Sequence, residues 1–184
     1  MKNIFKRLLI TLFAVGSFSL LSASEMYIFQ TANVKIDNNK AKLYIGTPVK
    51  VLKDVDDKNS LVEFSGMVFG NKLYINKDKS LLLASVEKST FGKDGETKKV
   101  QAIIEKGYLA SNPLEIWEEH EEFFYENCTQ CHAAHAPTEH SMLEWDAILQ
   151  TMNGFAQLDE EEAAYLARFV KATSNNGFYP KTKK

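Results

Sequence analysis

The sequence predicts an α+β protein, a small antiparallel β-barrel or sandwich followed by three short helices. Three observations predict it. Residues 25–111 alternate short β-branched and aromatic runs with turn residues; after Pro113 the apolar spacing becomes helical; and the charge balance changes at the same place. Residues 25–111 carry 14 Lys/Arg against 11 Asp/Glu, whereas 112–173 carry 2 against 13. Such a break marks two units with different surfaces, expected at 25–111 and 112–174, with a basic tail over 175–184. The acidic second unit argues against nucleic acid, whose phosphates call for Lys and Arg.

The amino-terminal segment has the layout of a secretory signal. Lys2, Lys6 and Arg7 precede an uncharged apolar run over 8–21, and Ser22-Ala23-Ser24 supplies small residues for cleavage after Ser24. The apolar run is shorter than the ~20 residues that span a bilayer. A signal peptide over 1–24 is therefore expected, and with it a soluble periplasmic protein. Its removal takes three positive charges from a chain of net charge −2, leaving −5.

In the β-rich part, Leu43, Ile45, Val49 and Val51 flank Gly46-Thr47-Pro48, a natural turn. A polar break over 54–60 follows. Strand-like runs come at 61–64, 72–75, 81–86 and 100–104, with Gly92-Lys93-Asp94-Gly95 as a further turn. Five or six short strands at this spacing suit a small barrel or sandwich. Leu-Tyr-Ile occurs at 43–45 and again at 73–75, too short a repeat to establish a duplication.

The first helix places Leu114, Trp117, Phe124 and Cys128 on one side and Glu118, Glu119, Glu121, Glu122 and Glu126 on the other. Ser141 with Glu144 forms a capping box for a second helix, whose Trp145, Ile148, Leu149 and Met152 share a face and which is expected to end at Asn153-Gly154. A third helix starts at Asp159, with Glu162 three residues on. Its Arg168 and Lys171 suit the negative end of the helix dipole. About sixty residues of helix make a poor core alone. A large apolar ligand at their centre would remedy that.

The chain has two cysteines, both within Cys128-Thr129-Gln130-Cys131-His132. This CxxCH spacing is the attachment signature of c-type haem. Two thiols about one helical turn apart match the separation of the porphyrin vinyl groups, and the adjacent imidazole is placed to bind the iron. Covalent attachment keeps the cofactor bound in a dilute exported compartment, in agreement with the signal. Zinc is an alternative, using both thiolates, His132 and His135 or His140. A redox dithiol or a disulfide is another, although the dithiol motif normally opens a helix in a βαβ setting.

Candidates for the sixth iron ligand are Met152, His140 and Met142. His135 lies too close to His132 to reach the opposite haem face. Met152 ends the Trp145 stripe, where it would otherwise be ordinary core. His120 is expected to be solvated or at the haem edge, and Trp117 and Trp145 to pack the haem pocket. The glutamates over 118–126 read as a solvated face, with steering of a basic partner as the other possibility.

From Asn112 onward, CTQCHAAHAP over 128–137, Glu144-Trp145, Leu149-Gln150-Thr151-Met152 and Leu158-Asp159-Glu160-Glu161-Glu162 resemble the C-terminal monohaem domain of TorC-type pentahaem cytochromes. The stretch from Gly46 through Phe64 and the run over 72–108 are similar to the SH3-like β segment that precedes that haem. The resemblance implies an SH3-like antiparallel β-barrel followed by a three-helix monohaem cytochrome c domain, with Met152 at the family's distal methionine. It also implies an electron carrier rather than an enzyme, holding one covalent haem c. The acceptor would be a periplasmic molybdopterin reductase of S- or N-oxides such as trimethylamine N-oxide or dimethyl sulfoxide, with the barrel docking or orienting it.

That family begins with a membrane-anchored tetrahaem domain that oxidises quinol, and no second CxxCH stands in this sequence. The donor is therefore expected to be a separate membrane quinol-oxidising cytochrome or complex. The competing expectations are a haem enzyme or gas sensor with an open distal iron, and an adaptor in which haem is a structural staple.

Overall fold

The computed structural model describes residues 25–179. The expected signal over 1–24 and residues 180–184 lie outside them. Among the described residues no helix is long and apolar enough to cross a membrane.

Among the described residues nine strands precede three α-helices: β1 (Glu25–Ile28), β2 (Ala32–Ile36), β3 (Asn39–Leu43), β4 (Pro48–Asp54), β5 (Asn59–Phe69), β6 (Lys72–Tyr74), β7 (Leu82–Val86), β8 (Thr97–Glu105), β9 (Leu109–Ala110), α1 (Pro113–Cys128), α2 (Met142–Ala156) and α3 (Glu160–Thr173). Six strands close an antiparallel barrel in the order β2-β3-β7-β6-β5-β8, and β4, β1 and β9 continue the sheet from β5. The protein is α+β, and of barrel and sandwich it takes the barrel.

Local chemistry accounts for the main pairings. In β5 the residues Ser60, Val62, Phe64 and Val68 face inward, in the two-residue period of a strand with one buried face. They run antiparallel to β8 from Asn59↔Glu105 to Met67↔Thr97. The β2–β3 hairpin turns on Asp37 and Asn38, both at positive φ (47° and 64°). Asp and Asn tolerate this left-handed conformation, which gives a tight hairpin the right twist. The two Leu-Tyr-Ile segments end up beside one strand, with Leu43 and Leu73 both opposite Ala84 of β7.

The apolar interior has two lobes. One fills the barrel with Ile28, Leu43, Val62, Val68 and Leu73; the other gathers Trp117, Phe124, Trp145, Leu166 and Phe169 from the helices. Tyr27, Leu81 and Ala110 from the β part belong to the helical lobe, so the two units share a continuous contact.

Each helix begins as its local sequence dictates. The Asn112 side chain accepts from Leu114 N and Pro113 follows it. Ser141/Glu144 and Asp159/Glu162 are complete capping boxes. Three expectations change. The second helix does not stop at Asn153-Gly154 but runs to Ala156 and ends on Gln157 in the left-handed region. One interior glycine weakens a helix by about 1 kcal/mol without ending it. Arg168 is not merely a dipole partner at the end of α3. Its guanidinium crosses to the barrel and donates to Ile45 O and Leu82 O. Nor are residues 175–179 a loose tail. Phe178 N donates to Ala172 O (2.9 Å), its side chain packs against both lobes, and Tyr179 OH accepts from Trp117 Nε1 (2.6 Å).

Candidate functional site

Cys128 is the last residue of α1. Thr129 ends the helix by doubling back on it, with its amide and its hydroxyl both donating to Tyr125 O (3.1 and 2.6 Å). The chain then opens into a loop carrying Cys131 and His132, both exposed, while Cys128 is half-buried. The two sulfurs are not joined to each other, and burial pushes the Cys128 thiol up.

These residues border a cavity of about 500 Å³. Phe124 and Cys128 of α1 form part of its wall, the loop adds Cys131, His132 and His135, and α2 adds Trp145, Ile148, Leu149, Met152 and Phe155. Such a volume, with largely apolar walls and a few polar groups, falls in the range of small-molecule and cofactor sites, roughly 300–1,000 Å³. A larger groove of about 1100 Å³ on the barrel is lined by Lys35, Lys42, Tyr44, Glu87 and Glu105, and none of the CxxCH residues reaches it.

The His132 ring is oriented by Ala133, whose carbonyl lies 2.8 Å from Nδ1. A carbonyl can only accept, so this contact assigns the ring proton to Nδ1 and leaves the Nε2 lone pair free for a metal. Trp145 is fixed in the cavity wall by donating from Nε1 to Pro137 O (2.8 Å).

Of the three distal candidates, Met152 alone lines this cavity together with Cys128, Cys131 and His132. Met142 is buried in the helical core, and its amide is held by Asn176 Oδ1 (2.8 Å). His140 packs edge-on against Trp145, with ring centroids 5.3 Å apart, outside the cavity lining.

Two aromatic expectations change. Trp117 does not pack the cavity but lies at the contact with the barrel, its ring against Gly46. His120 is neither solvated nor at the cavity. It is buried, stacked on Tyr165 at 3.6 Å, and meets the edge of Trp117. Desolvation, with Arg168 nearby, pushes its imidazole down to about 4. The five glutamates of 118–126 are all exposed.

Comparison with protein-family models, with curated proteins and with solved structures finds no match.

Sequence reasoning passed over Phe155, which is 75% exposed at the cavity rim. Its signal was weak because it follows the glycine expected to end α2. His135, set aside as an iron ligand, does line the cavity and bonds Glu139 Oε2 through Nδ1 at 2.9 Å.

Proposed function

We propose that this chain is an exported c-type cytochrome that carries one haem and passes single electrons between larger redox proteins. The observation that carries the reading is the convergence of Cys128, Cys131, His132 and Met152 on one largely apolar cavity. Those residues are a complete donor set for the group: two thiols for the thioether links, an imidazole with a free Nε2, and a soft thioether sulfur. The bound haem would supply a one-electron couple.

The chain's own residues do the rest. Cys128 and Cys131 would hold the macrocycle through their sulfurs, His132 and Met152 would ligate the iron, and Phe124, Trp145 and Leu149 would keep water from the site. Methionine ligation raises the reduction potential relative to two histidines, and so does an apolar wall. The exposed glutamates of α1 favour encounter with a basic partner surface. The barrel is read as the SH3-like element, and the helices as the monohaem cytochrome c domain, of the TorC type. On that resemblance, the acceptor is a periplasmic molybdopterin S- or N-oxide reductase and the donor a membrane quinol-oxidising cytochrome or complex.

The test is export of the full chain in a host with c-type haem ligation. The mature protein is expected to gain the mass of one haem and a Soret band, and to lose both in Cys128→Ala/Cys131→Ala. Reduced protein is then mixed with candidate molybdenum reductases and their oxides, where reoxidation is expected only when enzyme and oxide are both present. Mature wild-type protein without haem mass overturns the cytochrome, and haem protein that no such reductase reoxidises overturns the acceptor.

A further inference from the structure

We propose that His135, Glu139 and His140 form a binding site for a divalent transition-metal ion of the zinc class, on the loop that joins α1 to α2. Each offers one ligating atom, and the three atoms lie within 4.8 Å of one another. The single turn of 3-10 helix at Pro137–Glu139 folds the chain back and brings the three side chains together. A hydrogen bond accounts for only two of them, since His135 Nδ1 meets Glu139 Oε2 at 2.9 Å. The third is left over. His140 Nε2 is buried with no hydrogen-bond partner among the described residues. Its ring sits 4.9 Å from that of His135 and is held against Trp145, and its carbonyl accepts from Asn175 N (2.9 Å).

The donor chemistry selects the ion. Two imidazoles and one carboxylate suit zinc and its neighbours, whereas magnesium and calcium prefer oxygen alone. Zinc–ligand distances of about 2.0–2.2 Å place tetrahedral ligand atoms about 3.4 Å apart. His135 and Glu139 have side chains that are 54% exposed, free to swing that far toward the fixed His140. Three protein ligands leave a fourth position to water. The ion would staple the loop that carries His135 into the cavity wall. It uses neither cysteine nor His132, so the proposal stands apart from the haem reading.

The experiment titrates the tag-free full chain with zinc. Its cysteines are first removed from play, as thioethers where haem is attached or by alkylation where it is not. One zinc per chain is expected. Glu139→Gln and His135→Gln, both at exposed positions, are each expected to weaken binding at least about tenfold, the low end for loss even of an outer-shell partner. Cobalt in place of zinc is expected to give visible bands without thiolate charge transfer in the alkylated, haem-free chain. No stoichiometric zinc binding by the wild type, or binding unchanged in both variants, overturns the site. The Soret band reports the haem separately, so neither reading can mask failure of the other.

Discussion

The indole of Trp117 rests on the backbone of Gly46, where an added β-carbon would stand 2.3 Å from the ring. Gly46 also sits at φ +78°, in the left-handed region. One residue thus serves two needs at the seam between barrel and helices: it turns the chain between β3 and β4, and it leaves room for the largest side chain of α1.

Gly46→Ala is therefore expected to lose about 2–4 kcal/mol, from the unfavourable φ and the overpacking against Trp117 together. Urea unfolding measures it. A change under about 0.5 kcal/mol would mean that the indole gives way easily and that the seam is loose.

Arg168 ties the same seam from α3. Its guanidinium serves the carbonyls of Ile45 and Leu82, and burial lowers its pKa to about 10. Arg168→Met keeps the stem but leaves both acceptors without that donor, for an expected loss of about 2–4 kcal/mol. Arg168→Lys should lose less, because an ammonium can satisfy one acceptor but lacks the planar fork. Equal stability of both variants and the wild type would show that water replaces the fork at no cost.

The buried imidazole of His120 makes stability depend on acid. Its folded pKa, about 4, lies below the ordinary 6.5, so between these values the unfolded chain binds more protons. Stability from this residue is present above pH 6.5 and is lost as pH falls toward 4. With a discount for solvent screening, the loss is about 1–2 kcal/mol. His120→Gln is expected to flatten that part of the stability profile. Profiles that stay parallel would show that His120 does not titrate in this window.

Met152→Ala tests the ligand role proposed for this sulfur. On the proposed haem reading, the group should stay covalently attached while the long-wavelength band of methionine-ligated ferric haem disappears and carbon monoxide gains access to the iron. Met152→His should instead keep six ligands and lower the potential. Met142→Leu, in the packed core, should leave the spectrum unchanged. Fast carbon monoxide binding by the wild type would point to the open-iron enzyme or sensor.

What the linear sequence makes legible is the chemistry of neighbours. The capping boxes at Ser141 and Asp159 and the CxxCH run each depend on residues within four positions of one another, so they can be read without a fold. The run over 61–64 belongs here as well, although β5 extends beyond it from Asn59 to Phe69. The hairpin at Asp37-Asn38 carried the same kind of signal, but its flanking strands, rich in Lys and Asn, hid it.

Closure of the barrel through β5–β6, the passage of Arg168 to Ile45 and the docking of Tyr179 on Trp117 were decided only in three dimensions. So was the seating of the two methionines, for the sequence favours Met152 through the Trp145 stripe, but only packing puts its sulfur on the cavity and buries Met142 in the core. The physical reason is common to all four. Local hydrogen bonds and periodicity are set by residues a few positions apart, whereas the partner of a long side chain is whatever the packed chain brings to it.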